Sequence, residues 1–67
     1  MFNEEIKIVL YSDKRIVIRN FKELKDINDD YILIDMYLFI GKLLKITIID
    51  EGYVEIYGKI NEIKVIE

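Results

Sequence analysis

The sequence has no cysteine, histidine, proline, tryptophan or alanine, and only three glycines among its 67 residues. Without cysteine there is no disulfide staple and no thiol nucleophile. The joint absence of histidine removes the usual zinc ligands and the side chain that serves as general base near neutral pH. The lack of alanine, the best helix former, argues against helix, and with no proline no strand is forced to break. Positive charge is also scarce: Lys and Arg number 10 against 13 Asp and Glu, giving a net charge of -3. Release of counterions from a phosphate backbone would then gain little, so nucleic acid is not an expected partner. No apolar run is long. Residues 31–40 are the most apolar stretch and carry Asp35, against the roughly 20 residues needed to span a bilayer. The opening Met1-Phe2-Asn3-Glu4-Glu5 is acidic where a secretory signal starts basic, so an intracellular, cytoplasmic protein is expected. A chain this short makes one domain, residues 1–67, and buries only about 60% of the surface that its unfolded form exposes.

What is present favours strands. Fifteen Ile, four Val, five Tyr, three Phe and one Thr make 28 of the 67 residues strand-favouring. Ile6, Ile8 and Leu10 alternate with Glu5, Lys7, Val9 and Tyr11. Ile16 and Ile18 alternate with Arg15, Val17 and Arg19, and Ser12-Asp13-Lys14 between the two runs predicts a hairpin turn. Leu44, Ile46 and Ile48 lead through Asp50-Glu51-Gly52 to a second hairpin, whose return strand sets Val54 and Ile56 against Tyr53, Glu55 and Tyr57. Beyond Gly58 the apolar phase slips between Ile60 and Ile63, which predicts a bulge or bend near Asn61 and Glu62. Residues 20–30 read two ways. Asn20 with Glu23 fits a helix cap, with Phe21, Leu24 and Ile27 at helical spacing, and the same residues fit a short irregular strand before the turn at Asn28-Asp29-Asp30. Residues 31–40 are apolar at nearly every position, as in a strand covered on both faces, and Gly41 ends or bulges it. The expected fold is all-β: a small meander of six to eight short antiparallel strands, forming an open barrel, roll or two-layered sheet. A short β-solenoid is the alternative, although no fixed repeat is visible.

The candidates for chemistry are few. Asp29-Asp30 and Asp50-Glu51 are the only adjacent carboxylates near predicted turns, where Asp bonds its own backbone, and no cation-binding loop spacing surrounds them. Ser12 and Thr47 have no histidine to activate them. No catalytic, cofactor or metal residue is expected, and no small-molecule substrate. The residues that stand out are those of an interface. Tyr31, Tyr37, Leu38 and Phe39 lie in the doubly apolar run, and Tyr53, Glu55 and Tyr57 share one strand face, with Glu51, Glu55 and Glu62 supplying acid nearby in sequence. Self-association through residues 31–40 is expected, since so small a chain cannot cover both faces of that strand. Two other readings stay open: a small β-barrel stacking bases on Tyr53 and Tyr57, which needs a basic face, and an enzyme working by carboxylates, which needs acids from separate turns to converge.

Residues 55–66, with Glu55-Ile56-Tyr57 ahead of Gly58-Lys59-Ile60-Asn61-Glu62-Ile63-Lys64-Val65-Ile66, resemble the C-terminal signature of the YabP/YqfC sporulation family. Ile16-Val17-Ile18 followed by Asn20 resembles that family's early strand. The stretch 27–34 is similar to its middle segment, and Tyr37-Leu38-Phe39-Ile40-Gly41 with Leu44 and Ile46 to its apolar strand motif. The likeness covers roughly residues 6–66, and departs from the family where Glu23 and the neighbourhood of Asp35 replace glycines. The resemblance implies a non-enzymatic, all-β protein of the mother cell of an endospore former. There it would act as a structural or adaptor module, joined through a membrane-bound sporulation partner to a membrane.

Overall fold

A computed structural model describes residues 5–66; residues 1–4, most of the acidic opening stretch, and residue 67 lie outside the described residues. Six strands follow one another: β1 Lys7–Ser12, β2 Arg15–Arg19, β3 Leu24–Ile27, β4 Tyr31–Ile34, β5 Tyr37–Asp50 and β6 Tyr53–Val65. All pairs are antiparallel, in the order β1-β2-β6-β5-β4-β3. No described residue is helical, so residues 20–30 take the strand reading as β3. Asn20 is no helix cap. It sits at φ 63° and donates its backbone N–H to the Gly52 carbonyl at 2.7 Å.

The meander has one exception. Strand β2 pairs with β6 instead of β3, so the β1–β2 hairpin lies on one side of the long β5–β6 ribbon and β3–β4 on the other. The ribbon changes register three times, at Ile40/Gly41, Lys42/Lys45 and Ile46/Ile48. The first shift leaves Asn61 as the extra residue, where the slipped apolar phase predicts a bulge. Around these bulges the sheet divides in two. One half-sheet contains β1, β2, residues 53–57 of β6 and 45–50 of β5; the other contains β3, β4, residues 37–40 of β5 and 62–65 of β6. The turn after β1 bonds to β6 at the division, through Gly58 N–H to Lys14 and Ile60 N–H to Asp13. The turn after β3 bonds likewise to β5, through Gly41 N–H to Asp30 and Leu44 N–H to Asp29.

The two halves share one core. Ile16, Ile18, Val54 and Ile56 of the first half, Ile32, Ile34 and Phe39 of the second, and Leu44 at the division form a single buried cluster. With no other described layer present, side chains on one face of a sheet reach zero exposure only if the sheet folds over on itself. Two glycines permit the fold-over. A Cβ on Gly41 would strike the Lys59 carbonyl oxygen, and one on Gly58 (φ 132°) would lie 2.6 Å from the Leu43 carbonyl oxygen.

Residues 31–40 are not one strand. Asp35 and Met36 form a two-residue turn between β4 and β5, with Ile34 opposite Tyr37. Asp35 tolerates the left-handed backbone there (φ 53°). Its carboxylate also accepts the N–H groups of Lys22 and Glu23, at 3.0 and 2.8 Å. The unbroken apolar pattern therefore belongs to a hairpin, in which each strand has neighbours on both sides. Residues 31–40 therefore have no open backbone edge.

Candidate functional site

Period two on β6 sends Val54 and Ile56 into the core and Tyr53, Glu55 and Tyr57 to the outer face of the first half-sheet, as the residue pattern predicts. What lies beside them is decided by pairing. Strand β2 sets Arg15 opposite Tyr57, Val17 opposite Glu55 and Arg19 opposite Tyr53, while β5 sets Lys45, Ile48 and Asp50 against the same three residues. Lys7 opposite Arg19 and Lys42 opposite Lys59 extend the face at its two ends. Six of the ten cations of the chain thus share this surface with Glu55 and Asp50, although the whole molecule carries a net -3. The acids that adjoin Tyr53 and Tyr57 in sequence do not surround them: Glu51 is in the turn, and Glu62 pairs with Ile40 in the other half-sheet.

Glu55 is the centre of the face, and only 5% exposed. Arg15 donates to its Oε1 from Nε (3.2 Å), with Nη2 in ion-pair contact with the same oxygen at 3.1 Å, and the Tyr53 hydroxyl donates to Oε2 at 2.7 Å. The Tyr53 bond, helped by Arg15 and opposed by burial, holds the Glu55 carboxyl below its ordinary range; the same bond pushes the Tyr53 phenol up. An acid fixed as its anion and a phenol fixed in its protonated form do not exchange protons near neutrality. The sequence offers Glu55 as an interface residue that supplies acid beside the two tyrosines. Buried in a bonded network, it instead anchors the surface.

The arginines bind the tyrosines together. The Arg15 guanidinium lies 4.4 Å from the Tyr11 ring centre and 5.8 Å from that of Tyr57, and Arg19 lies 5.2 Å from Tyr53. Beneath them Val17 is 1% exposed although it points outward. Tyr11 and Tyr57 remain open, at 57% and 39% exposure. The result is a preorganised surface of exposed rings between cations. Tyr11, Arg15, Val17 and Arg19 were not among the residues that stood out in the sequence. Their alternation with Ile16 and Ile18 places them on a wet face, but nothing local says that this face adjoins Tyr53 and Tyr57.

The other expected interface residues separate. Leu38 and Tyr31 lie on the outer face of the second half-sheet, with Leu33 and Ile40, and the Tyr31 hydroxyl donates to Asp26 at 2.8 Å. Phe39 is fully buried and Tyr37 packs against the core, because they alternate with Leu38 on the opposite side of β5. Phe39 is therefore closed to a partner in the folded chain, while Tyr37 is half-buried. The carboxylate pairs do not converge either. Asp29 bonds through its carbonyl to Leu44, and Asp50 lies six residues further along β5, about 20 Å at the usual strand rise. No metal-binding group of three or more acids occurs among the described residues, and no described helix is long and apolar enough to cross a membrane. No family model, curated protein or solved structure matches the chain.

Proposed function

We propose that this protein is a non-enzymatic binding module, and that the outer face built on Tyr11, Arg15, Arg19, Tyr53 and Tyr57 receives an acidic segment of another protein. The observation that carries the reading is the concentration of six cations and two exposed tyrosine rings on one face of an otherwise acidic chain. Aromatic side chains supply most of the affinity in such interfaces, and charge sets partner choice and register. A short acidic segment meets only the local positive field. A long polyanion also meets the net negative charge of the rest of the molecule. The resemblance to the YabP/YqfC family supports a partner of the sporulation programme, held in a membrane and presented to the mother-cell cytoplasm, with this chain as the adaptor.

The interleaving of cations with Tyr11 and Tyr57 also favours a second reading, single-stranded nucleic acid stacked on those rings. Fluorescence titration with a synthetic Asp/Glu-rich peptide and with a single-stranded RNA of mixed sequence, each at low and physiological salt, separates the two. The proposal expects peptide binding that Tyr11→Ala, Tyr57→Ala or Arg19→Glu weakens while the circular dichroism spectrum stays unchanged. RNA binding alone, with a steep salt dependence, replaces it with the second reading. Binding that ignores all three substitutions removes this face as the site.

A further inference from the structure

Four stretches of backbone edge are left without a described neighbour: the outer sides of β1, β3, residues 45–50 of β5 and residues 61–65 of β6. Three are irregular. Strand β1 shifts register between Leu10 and Ser12, β3 between Leu24 and Asp26, and β5 between Ile46 and Ile48, and such irregularities blunt an edge against pairing. The β6 edge runs without a shift from Glu62 to Val65. Its polarity is readable from one bond. The Ile66 N–H donates to the Met36 carbonyl, toward β5, so by alternation Glu62 and Lys64 also bond inward, while the N–H and C=O of Ile63 and Val65 point away from β5, where no described strand pairs with them. The side chains there are apolar and open, with Ile63, Val65 and Ile66 at 40%, 59% and 44% exposure.

We propose that two copies of this chain join through that edge, residues 61–65 pairing antiparallel about a two-fold axis at Ile63. In this register Ile63 faces Ile63 of the second copy as a hydrogen-bonded pair, which uses the outward N–H and C=O. Glu62 then faces Lys64 of the second copy, and Lys64 faces its Glu62. The two charges, whose own contact within the chain is a loose 3.7 Å on exposed side chains, become two cross-strand ion pairs. The joined sheet also covers the exposed Ile63 and Val65. The cation-rich face on the other half-sheet stays free in both copies.

The register makes a charge-swap test possible. Sedimentation velocity from about 1 µM to 1 mM should show a concentration-dependent monomer–dimer equilibrium for the wild type. Glu62→Lys alone and Lys64→Glu alone each oppose like charges at both pairs, and should weaken the dimer about tenfold. The double variant E62K/K64E should restore it, and so should an equimolar mixture of the two single variants, which oppose unlike charges only when they pair with each other. Rescue in the mixture is not expected from any role of the ion pair within one chain. A wild type that stays monomeric throughout overturns the proposal, as does a dimer indifferent to both reversals. Dispersal by Leu38→Glu with the charge variants unaffected would place the interface on the outer sheet face instead.

Discussion

Gly52 and Gly58 look alike in the sequence, each a lone glycine next to a tyrosine, and both take positive φ, 68° and 132°. The structure nevertheless predicts very different costs for alanine. At Gly52 the nearest atoms to an added Cβ are 3.9 Å away, so only the left-handed backbone is charged against it, about 1–2 kcal/mol. For a domain of this size that lowers Tm by roughly 4–8 °C per kcal/mol. At Gly58 the backbone cost is about 1–3 kcal/mol. In addition the Cβ would lie 2.6 Å from the Leu43 oxygen and 2.8 Å from the Leu44 Cα. Neither atom yields easily, since the Leu44 side chain is buried and its N–H is bonded to Asp29. Forced repacking adds a further 1–3 kcal/mol or so. The sum, roughly 2–6 kcal/mol, approaches the whole stability of a chain this short, about 3–10 kcal/mol at the usual 0.05–0.15 per residue. Thermal melts followed by circular dichroism should therefore show Gly52→Ala folded with a lower Tm, and Gly58→Ala largely unfolded or melting far below it. Equal Tm values for the two variants would refute the close approach of β5 and β6 at the bulge, and with it the fold-over of the sheet.

Two further predictions concern the core and the buried acid. Phe39→Ala should cost about 3–5 kcal/mol in chemical denaturation, because the ring is wholly buried between the half-sheets, while Leu38→Ala on the outer side should cost clearly less; equal losses would contradict the assigned faces. The folded Glu55 carboxyl titrates below its unfolded value, since the Tyr53 hydroxyl and Arg15 favour its anion. Its contribution is therefore complete above the ordinary Glu range near pH 4.5 and is lost as pH falls through the lower folded value. Glu55→Gln should flatten that acid limb of stability against pH in urea titrations, and an unchanged acid limb would show that the network does not hold the anion.

Much of the fold was legible in the residue pattern because strands record burial locally. Two-residue alternation set Ile16 and Ile18, and Val54 and Ile56, on the faces that form the core, and the pattern marked hairpin turns within Ser12-Asp13-Lys14 and Asp50-Glu51-Gly52 and a bulge or bend near Asn61 and Glu62, which the structure has at Asn61. The stretch 31–40 misleads for an equally local reason. A two-residue turn at Asp35-Met36 is too short to interrupt an apolar run, so a hairpin buried on both sides reads like one strand covered on both faces. Where residues 20–30 allowed helix or strand, pairing of β3 with β4 decided, because an isolated helix of two turns has too few hydrogen bonds to offset its nucleation cost.

By itself the sequence determined which residues of a strand share a face, since each strand's alternation is set by its own pleat. It singled out Tyr53, Glu55 and Tyr57 as neighbours on one face for that reason. Only the tertiary structure decided the character of that face. Pairing of β2 with β6 crosses some 40 residues of chain, as in the Arg15–Glu55 contact, and brings arginines where the local sequence supplies glutamates. A carboxylate that reads as exposed thus becomes a buried anchor. Charge interactions depend on distance through space, and in a sheet that distance is fixed by which strands pair.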